Sequence, residues 1–415
     1  MKIRNWFDST KVQNHPTWLR RLIKDPFSVP PIYGDISPAG GCNHRCLHCA
    51  PSILEYKYNY LGLEFFKKFF REAKELREAD PNGLGIRSIQ FAGEGEPMLE
   101  NDLSKICEQA RLSEIDVAML SNGTAFTEKR ALEVLLFINI YLQFSVNAGT
   151  EQSYTNFHQT NAADWRRIWE NIKRVAKIKR ELKSNCEIGV NMTVTVKGAL
   201  NKKGVWVPPN WPEAEALIQK ARDAGADYVC FKPYSQLPQN HETLQLYDDM
   251  SYEPMMDEII ETGEMLRSKY ETDDFEVIFR FSRFKEYELT DHGYDVCHST
   301  PTLWFYLQSD GLLLSCQNYW LKSEEMSHWQ ENEFYLGNIK QQSLKEVWFG
   351  DRRQKHLESM KTFDISVCRK GCHPDKENRY LYWLLRLTPE QQETELKRLE
   401  TNLITNTFPH RGNII

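Results

Sequence analysis

Three cysteines fall within the stretch Gly41-Cys42-Asn43-His44-Arg45-Cys46-Leu47-His48-Cys49, spaced C-x3-C-x2-C directly after a predicted first strand. A [4Fe–4S] cluster normally takes four thiolates, so a compact trio with no fourth cysteine nearby leaves one iron open to an exchangeable ligand. A structural zinc ion is the alternative for the same residues. It prefers two C-x2-C or C-x2-H pairs closing a tetrahedron, and the gap from Cys42 to Cys46 is wider than such a knuckle. Disulfides fit less well: the local count is odd, and the opening Met1-Lys2-Ile3-Arg4-Asn5-Trp6 is polar rather than a secretory leader. Both features predict a reducing, cytoplasmic setting.

A loop of this kind needs a rigid scaffold, and the first two thirds of the chain read as alternating strands and helices. Predicted strands are Ile32–Ser37, Ser88–Ala92, Val117–Leu120, Tyr141–Asn147, Ile188–Val196 and Tyr228–Lys232. Amphipathic runs separate them, among them Leu63–Phe70, Leu103–Arg111 and Trp165–Leu182. Six strands alternating with helices predict an α/β fold with a parallel sheet. In such arrays functional loops lie at the carboxyl ends of the strands. The polar clusters Gly93-Glu94-Gly95-Glu96-Pro97, Ser121-Asn122-Gly123-Thr124 and Ser145-Val146-Asn147 all fall there.

The cysteine loop resembles the signature of the radical S-adenosylmethionine (radical SAM) enzymes. The resemblance covers residues 32–285 and implies a partial (β/α)6 TIM-like barrel. It implies that the open iron is chelated by the methionyl amino and carboxylate groups of S-adenosyl-L-methionine (SAM). Reductive cleavage would then give a 5′-deoxyadenosyl radical that takes hydrogen from an unactivated carbon, with a flavodoxin- or ferredoxin-type protein as electron donor. Gly95-Glu96-Pro97 is similar to the family's glycine–glutamate–proline element, whose backbone and carboxylate contact the methionyl amine. Ser121, Asn122, Ser145 and Asn147 match positions where polar side chains meet the methionyl carboxylate or the ribose. His48 departs from the pattern: the family usually has a carbocyclic aromatic near adenine at that position, and an imidazole offers a flat face in its place.

Beyond residue 285 the pattern changes. Leu303–Cys316 reads as two short strands joined at Asp310-Gly311, a hairpin that would bring Cys297 and Cys316 to one end of a ribbon. Cys368 and Cys372 add a near pair, and the four can close around a complete [4Fe–4S] cluster or a zinc ion. The C-x13-G-x4-C opening resembles the SPASM domain of peptide-modifying radical SAM enzymes. The full pattern carries seven cysteines and two clusters, so four cysteines are closer to its shortened "twitch" form with one auxiliary cluster. The domain plan is an N-terminal extension (1–31), a barrel (32–285), the auxiliary domain (286–376) and C-terminal helices (377–415). Trp6, Phe7, Trp18 and Leu19 in the extension either pack across the barrel or meet a partner.

Of the remaining cysteines, Cys107 sits on a helical pattern and reads as a core thiol, and Cys186 lies at the start of the fifth strand. Cys230 shares strand parity with Lys232 and Tyr234, so the three should lie on one face. If that face is the lumen, a thiol there can return a hydrogen atom to a substrate radical, as in radical SAM epimerases. A small buried hydrophobe is the alternative reading. Lys232-Pro233-Tyr234-Ser235-Gln236 offers groups for a carboxylate or peptide carbonyl. The chain has 415 residues, a formal charge of −6 and no apolar run long enough to span a bilayer, which predicts neither nucleic-acid nor membrane partners. Two substrate classes follow. One is a ribosomally made precursor peptide modified at Cα, as by a proteusin-type epimerase. The other is a small molecule, a sugar, aminocyclitol or nucleoside, that is oxidised or epimerised.

Overall fold

A computed structural model describes residues 9–53, 55, 58–201, 203–234, 250–289, 291–321, 323–369, 371–405, 408 and 410–414. Trp6, Phe7, Ser235, Gln236 and Lys370 lie outside the described residues. The six expected strands form: β1 (Tyr33–Ile36), β2 (Ser88–Phe91), β3 (Asp116–Ser121), β4 (Tyr141–Ser145), β5 (Glu187–Val194) and, after a small ribbon of β6 (Ala199–Leu200) and β7 (Trp206–Val207), β8 (Tyr228–Pro233). They pair in parallel in the order β1-β2-β3-β4-β5-β8. A further parallel strand, β9 (Glu276–Phe279), follows β8 at the edge.

The auxiliary region extends this same sheet. β10 (Trp304–Leu307) pairs in parallel with β1, placing Tyr306 opposite Asp35. β11 (Leu312–Leu314) and β12 (Tyr335–Asn338) then add antiparallel strands, giving ten in all. The turn between β10 and β11 uses Gly311 at φ +91°, a conformation that favours glycine. The sheet therefore runs without a break across position 285.

Helices cover the outer face because their apolar residues recur at helical spacing. In Gly62–Ala79, Phe66, Phe69, Phe70 and Ala73 are buried against Phe91 and Phe305 while Lys67, Arg71 and Lys74 face outward. In Ala162–Leu182 the buried stripe is Trp165, Ile168, Ile172 and Val175, started by Asn161, whose side-chain oxygen accepts from the Asp164 N–H at 3.2 Å. Arg166 and Lys177 on its opposite face are exposed, whereas Lys179 pairs with Asp227 at 2.6 Å.

A second core joins the two chain ends to the inner side of the sheet. Trp18, Leu19 and Leu22 of helix Pro16–Lys24 pack in one cluster with Tyr33, Tyr141, Trp304 and with Leu381, Leu384 and Leu396 of helices Asp375–Leu385 and Pro389–Thr405. Trp18 also donates its indole N–H to the Pro30 carbonyl at 2.8 Å. The described part of the N-terminal extension is thus packed into the body of the protein. Cys107 and Cys186 are fully buried, and burial pushes both thiols up, as for inert core cysteines.

Candidate active site

The cysteine trio leaves β1 in a loop that two neighbours hold in place. From one side, the Glu96 N–H donates to the Gly41 carbonyl at 2.9 Å. A Cβ on Gly95 would lie 2.2 Å from the Gly41 oxygen and 2.4 Å from that of Ala39, so only glycine allows this approach. From the other side, Arg45 and Leu47 donate their N–H groups to the His158 and Phe157 carbonyls at 3.1 and 2.8 Å, at the end of helix Glu151–His158. Cys42, Cys46 and Cys49 are all partly exposed. Burial pushes the Cys46 thiol well up, and the neighbouring Cys49 and Cys42 raise it further. Thiols so placed favour a cationic metal centre, which releases their protons on binding.

Polar side chains surround the trio. His158 approaches the Val146 carbonyl with Nε2 at 2.7 Å, and a carbonyl can only accept, so that nitrogen carries the proton. Nδ1 is then left facing Cys46 Sγ at 3.0 Å. His44 lies beside them, with ligand atoms of His44, Cys46 and His158 all within 4.8 Å of one another, and its Nε2 is 3.6 Å from Asp164. Burial lowers His44 to about 4 against the pull of Asp164, and pushes His158 well down too. Both imidazoles are neutral at pH 7. Asn122 directs its amide at Cys42 Sγ, 3.7 Å away, and at Asn43 Oδ1, 2.7 Å away.

The polar positions after the later strands are already engaged with the chain itself. The Glu96 carboxylate accepts from Ser121 Oγ and the Asn122 N–H at 2.7 Å and from the Met98 N–H at 3.0 Å. Asn147, at φ +58°, accepts from the Thr193 N–H at 2.8 Å. Glu96 and Asn147 thus build the loops, and Asn122 is held as well, its Oδ1 accepting from the Thr124 N–H and hydroxyl at 3.1 and 2.8 Å. His48 packs its ring on Phe157, centroids 4.7 Å apart, with Tyr234 at 6.2 Å. Burial, then the charge of Lys232, lowers His48 to about 4, so it presents a neutral flat ring.

The four later cysteines also come together. The thiols of Cys316 and Cys368 are pushed up first by burial and then by Cys372 and Cys297, which places all four within electrostatic reach. Asn378 donates to Cys297 Sγ at 3.1 Å and Asn318 to Cys372 Sγ at 3.8 Å. Arg283 fixes the Cys372 loop through the Gly371 carbonyl at 2.7 Å. Four sulfurs with amide donors around them suit a centre fully ligated by protein. Glu94 ties this region to the trio, accepting from Ser309 N–H and Oγ at 2.7 and 2.8 Å just beyond β10.

A cavity of about 290 Å³ is lined by Lys232, Tyr234, Arg280, Arg369, Asp35 and Gln90, among others. A second cavity of about 140 Å³ shares Gln90, Lys232 and Arg280 and adds Cys230, Gln143 and Asn191. Cys230 and Lys232 therefore line a common space, and Cys230 is almost completely buried. His158, Arg280, Arg369 and the Asn318 and Asn378 amides had no role in the sequence-based expectations, whereas Glu94 and Asn122 fall in the predicted strand-end clusters. Arg369 had a signal, since it lies between Cys368 and Cys372, and so did Arg280, at the end of the apolar run Phe275–Phe279.

Residues 36–199 match the radical SAM superfamily, and residues 297–373 match SPASM, an iron–sulfur cluster-binding domain. The chain carries a radical SAM domain and a C-terminal SPASM domain, a pair that supports a SAM-binding [4Fe–4S] cluster, an auxiliary cluster and SAM as its cofactors. Among curated proteins, a GTPase Obg of Brachyspira hyodysenteriae is 28% identical over 31% of this chain and 18% of its own length. A GTP 3′,8-cyclase of Clostridium acetobutylicum is 31% identical over 31% of this chain and 39% of its own. The chain thus spans well under half of these relatives. Streptococcus suis SuiB bound to precursor peptide SuiA shares the fold, with TM-score 0.58 and 13% identity over 84% of this chain and 71% of that one. So does anSMEcpe with bound AdoMet, at TM-score 0.50 and 18% identity over 91% of this chain and 99% of that one. No helix among the described residues is long and apolar enough to cross a membrane.

Proposed function

We propose that the enzyme modifies a ribosomally synthesised precursor peptide at Cα, converting an L-residue to its D-form with Cys230 as hydrogen donor. The observation that carries the reading is Cys230 itself, a thiol on the lumen wall beside Lys232, Gln143 and Asn191. The fold shared with SuiB, which was captured with its precursor peptide, supports the peptide class. In this reading Cys42, Cys46 and Cys49 hold the SAM-binding cluster, and Cys297, Cys316, Cys368 and Cys372 hold the auxiliary one. When bound, the first cluster and SAM supply a 5′-deoxyadenosyl radical able to abstract the Cα hydrogen.

The chain's residues do the rest. His48 offers its ring to adenine, Asn122 and the Gly95-Glu96 backbone face the methionyl group, and Gln143 and Asn191 can hold peptide amides. Cys230 then gives its hydrogen atom to the Cα radical from the opposite face: the S–H bond breaks and a C–H bond forms. The resulting thiyl regains a thiol by taking one electron, from a flavodoxin- or ferredoxin-type donor, and one proton. A second reading, oxidation or epimerisation of a sugar, aminocyclitol or nucleoside, draws support from the polar lumen of Gln90, Gln143 and Asn191, which suits a hydroxylated ring.

The test is turnover of reduced enzyme with SAM and candidate peptide in D2O. Deuterium is expected at the inverted Cα, and Cys230→Ala should abolish inversion while 5′-deoxyadenosine still forms. Undiminished inversion in Cys230→Ala removes the thiol from the mechanism.

A further inference from the structure

We infer that Thr300 and Asn378 are positioning residues that set the reduction potential of the auxiliary cluster, acting through Cys297. The inference rests on the proposal that Cys297, Cys316, Cys368 and Cys372 hold that cluster, and adds which side chains tune it.

Three donors converge on the Cys297 sulfur. The Asn378 amide reaches it at 3.1 Å, the Thr300 hydroxyl lies 2.8 Å away, and the Thr300 N–H adds a backbone bond. The orientation of the amide is fixed independently. Asn378 Oδ1 accepts from the Ser299 N–H at 2.8 Å, and a backbone N–H can only donate, so Nδ2 is the end that faces sulfur. Between a thiol and a hydroxyl either atom can donate. A thiolate bound to iron has no proton, so in the loaded site the hydroxyl is the donor. Asn378 is fully buried and Thr300 nearly so, and in so dry a place these bonds weigh more than they would in water. At Cys372, by contrast, the Asn318 amide stands 3.8 Å from sulfur.

The donors come from two segments that the fold brings together. Thr300 lies three residues beyond Cys297, ahead of β10, whereas Asn378 stands in the first turn of helix Asp375–Leu385, 81 residues from Cys297. Their effect on an iron–sulfur centre has a definite sign. Reduction adds one negative charge, shared with the ligating sulfurs, and hydrogen bonds to those sulfurs favour the more negative state. Thr300 and Asn378 therefore raise the potential. The free thiol shows the same balance: burial raises Cys297, the bonds from Thr300 and Asn378 oppose the rise, and the charge of Asp375 adds to it.

The test is a potentiometric titration of the full chain holding both clusters, with SAM present to separate the two EPR signals and with metal counted in every sample. Thr300→Val keeps the shape and removes the hydroxyl. At a fixed potential it is expected to raise the ratio of oxidised to reduced auxiliary cluster about tenfold, a downward shift of about 59 mV. Asn378→Leu is expected to shift the potential in the same direction, and Thr300→Ser, which keeps the hydroxyl, to restore the wild-type value. The SAM-binding cluster should hold its potential in all three variants. If Asn378→Leu loses iron, Thr300→Val decides the matter. Full iron with an unmoved potential in Thr300→Val overturns the inference, as does an equal shift in Thr300→Ser. Zinc at the four cysteines of the wild-type chain overturns the cluster assignment as well, and the metal count tells that failure apart from the other two.

Discussion

Asp35 sits on a parallel strand opposite Tyr306 and Gln90, and its carboxyl is raised to about 6 mainly by burial. A folded pKa above the unfolded one means that the group's stability contribution is complete below about 3.8 and is lost as pH rises through about 6. Both donors reach the same oxygen, Oδ1, so asparagine can keep both bonds. Asp35→Asn is therefore expected to gain up to about 3 kcal/mol above pH 6, and almost nothing near pH 4. Denaturant unfolding at the two pH values measures it; an equal gain at both would show that the charge is not responsible. At the same scale, the trio and the four later cysteines were visible in the sequence because thiols are scarce and their spacing is chemically restrictive. The environment of each sulfur was not visible: His158 reaches Cys46, and Asn378 reaches Cys297, across more than eighty residues of chain.

The loops at the strand ends hold one another in place. Glu96 spends its carboxylate on Ser121, Asn122 and Met98, and Gly95 lets that loop touch the cysteine loop. Gly95→Ala must push the two loops apart by more than an ångström, because the obstructing atoms are backbone. We expect 5′-deoxyadenosine formation to fall at least about tenfold, since misplacement on this scale costs roughly a hundredfold in catalysis. Iron at the auxiliary site should be retained; wild-type rates in the variant would remove the close approach from the account. The six strands were legible from their apolar runs and polar ends, and so was the Asp310-Gly311 turn. β9 was not, because Glu276–Phe279 is short and lies between two helical stretches. Nor was the pairing of β10 with β1, since nothing local in either strand encodes a partner some 270 residues away.

Across the whole molecule, the continuous sheet joins the barrel to the auxiliary region, and buried polar ties join the auxiliary region to the N-terminal segment. Arg353 is fully buried and donates to the carbonyls of Pro301, Phe27, Trp348, Pro26 and Val29 at 2.7–3.2 Å. It pins the N-terminal segment to the auxiliary region. Arg353→Met strands those carbonyls and is expected to cost about 4 kcal/mol, measured by thermal or denaturant unfolding. A cost near zero would mean the tie is dispensable. Composition and charge say nothing of how the parts meet; that the described part of the N-terminal extension packs inward depends on Trp18 and Leu22 finding the C-terminal helices, contacts that no local pattern announces.

In the proposed function, one chain holds two clusters, one with an open iron and one closed by four cysteines. Iron content and the EPR spectrum of reduced protein, before and after SAM, test it most directly. The full chain is expected to hold about eight irons per molecule, and each set of cysteine-to-alanine changes to leave about four. With Cys297, Cys316, Cys368 and Cys372 replaced, the remaining signal should shift on adding SAM. With Cys42, Cys46 and Cys49 replaced, it should not, and a SAM-sensitive signal there, or zinc in place of iron at the four-cysteine site, would contradict the account.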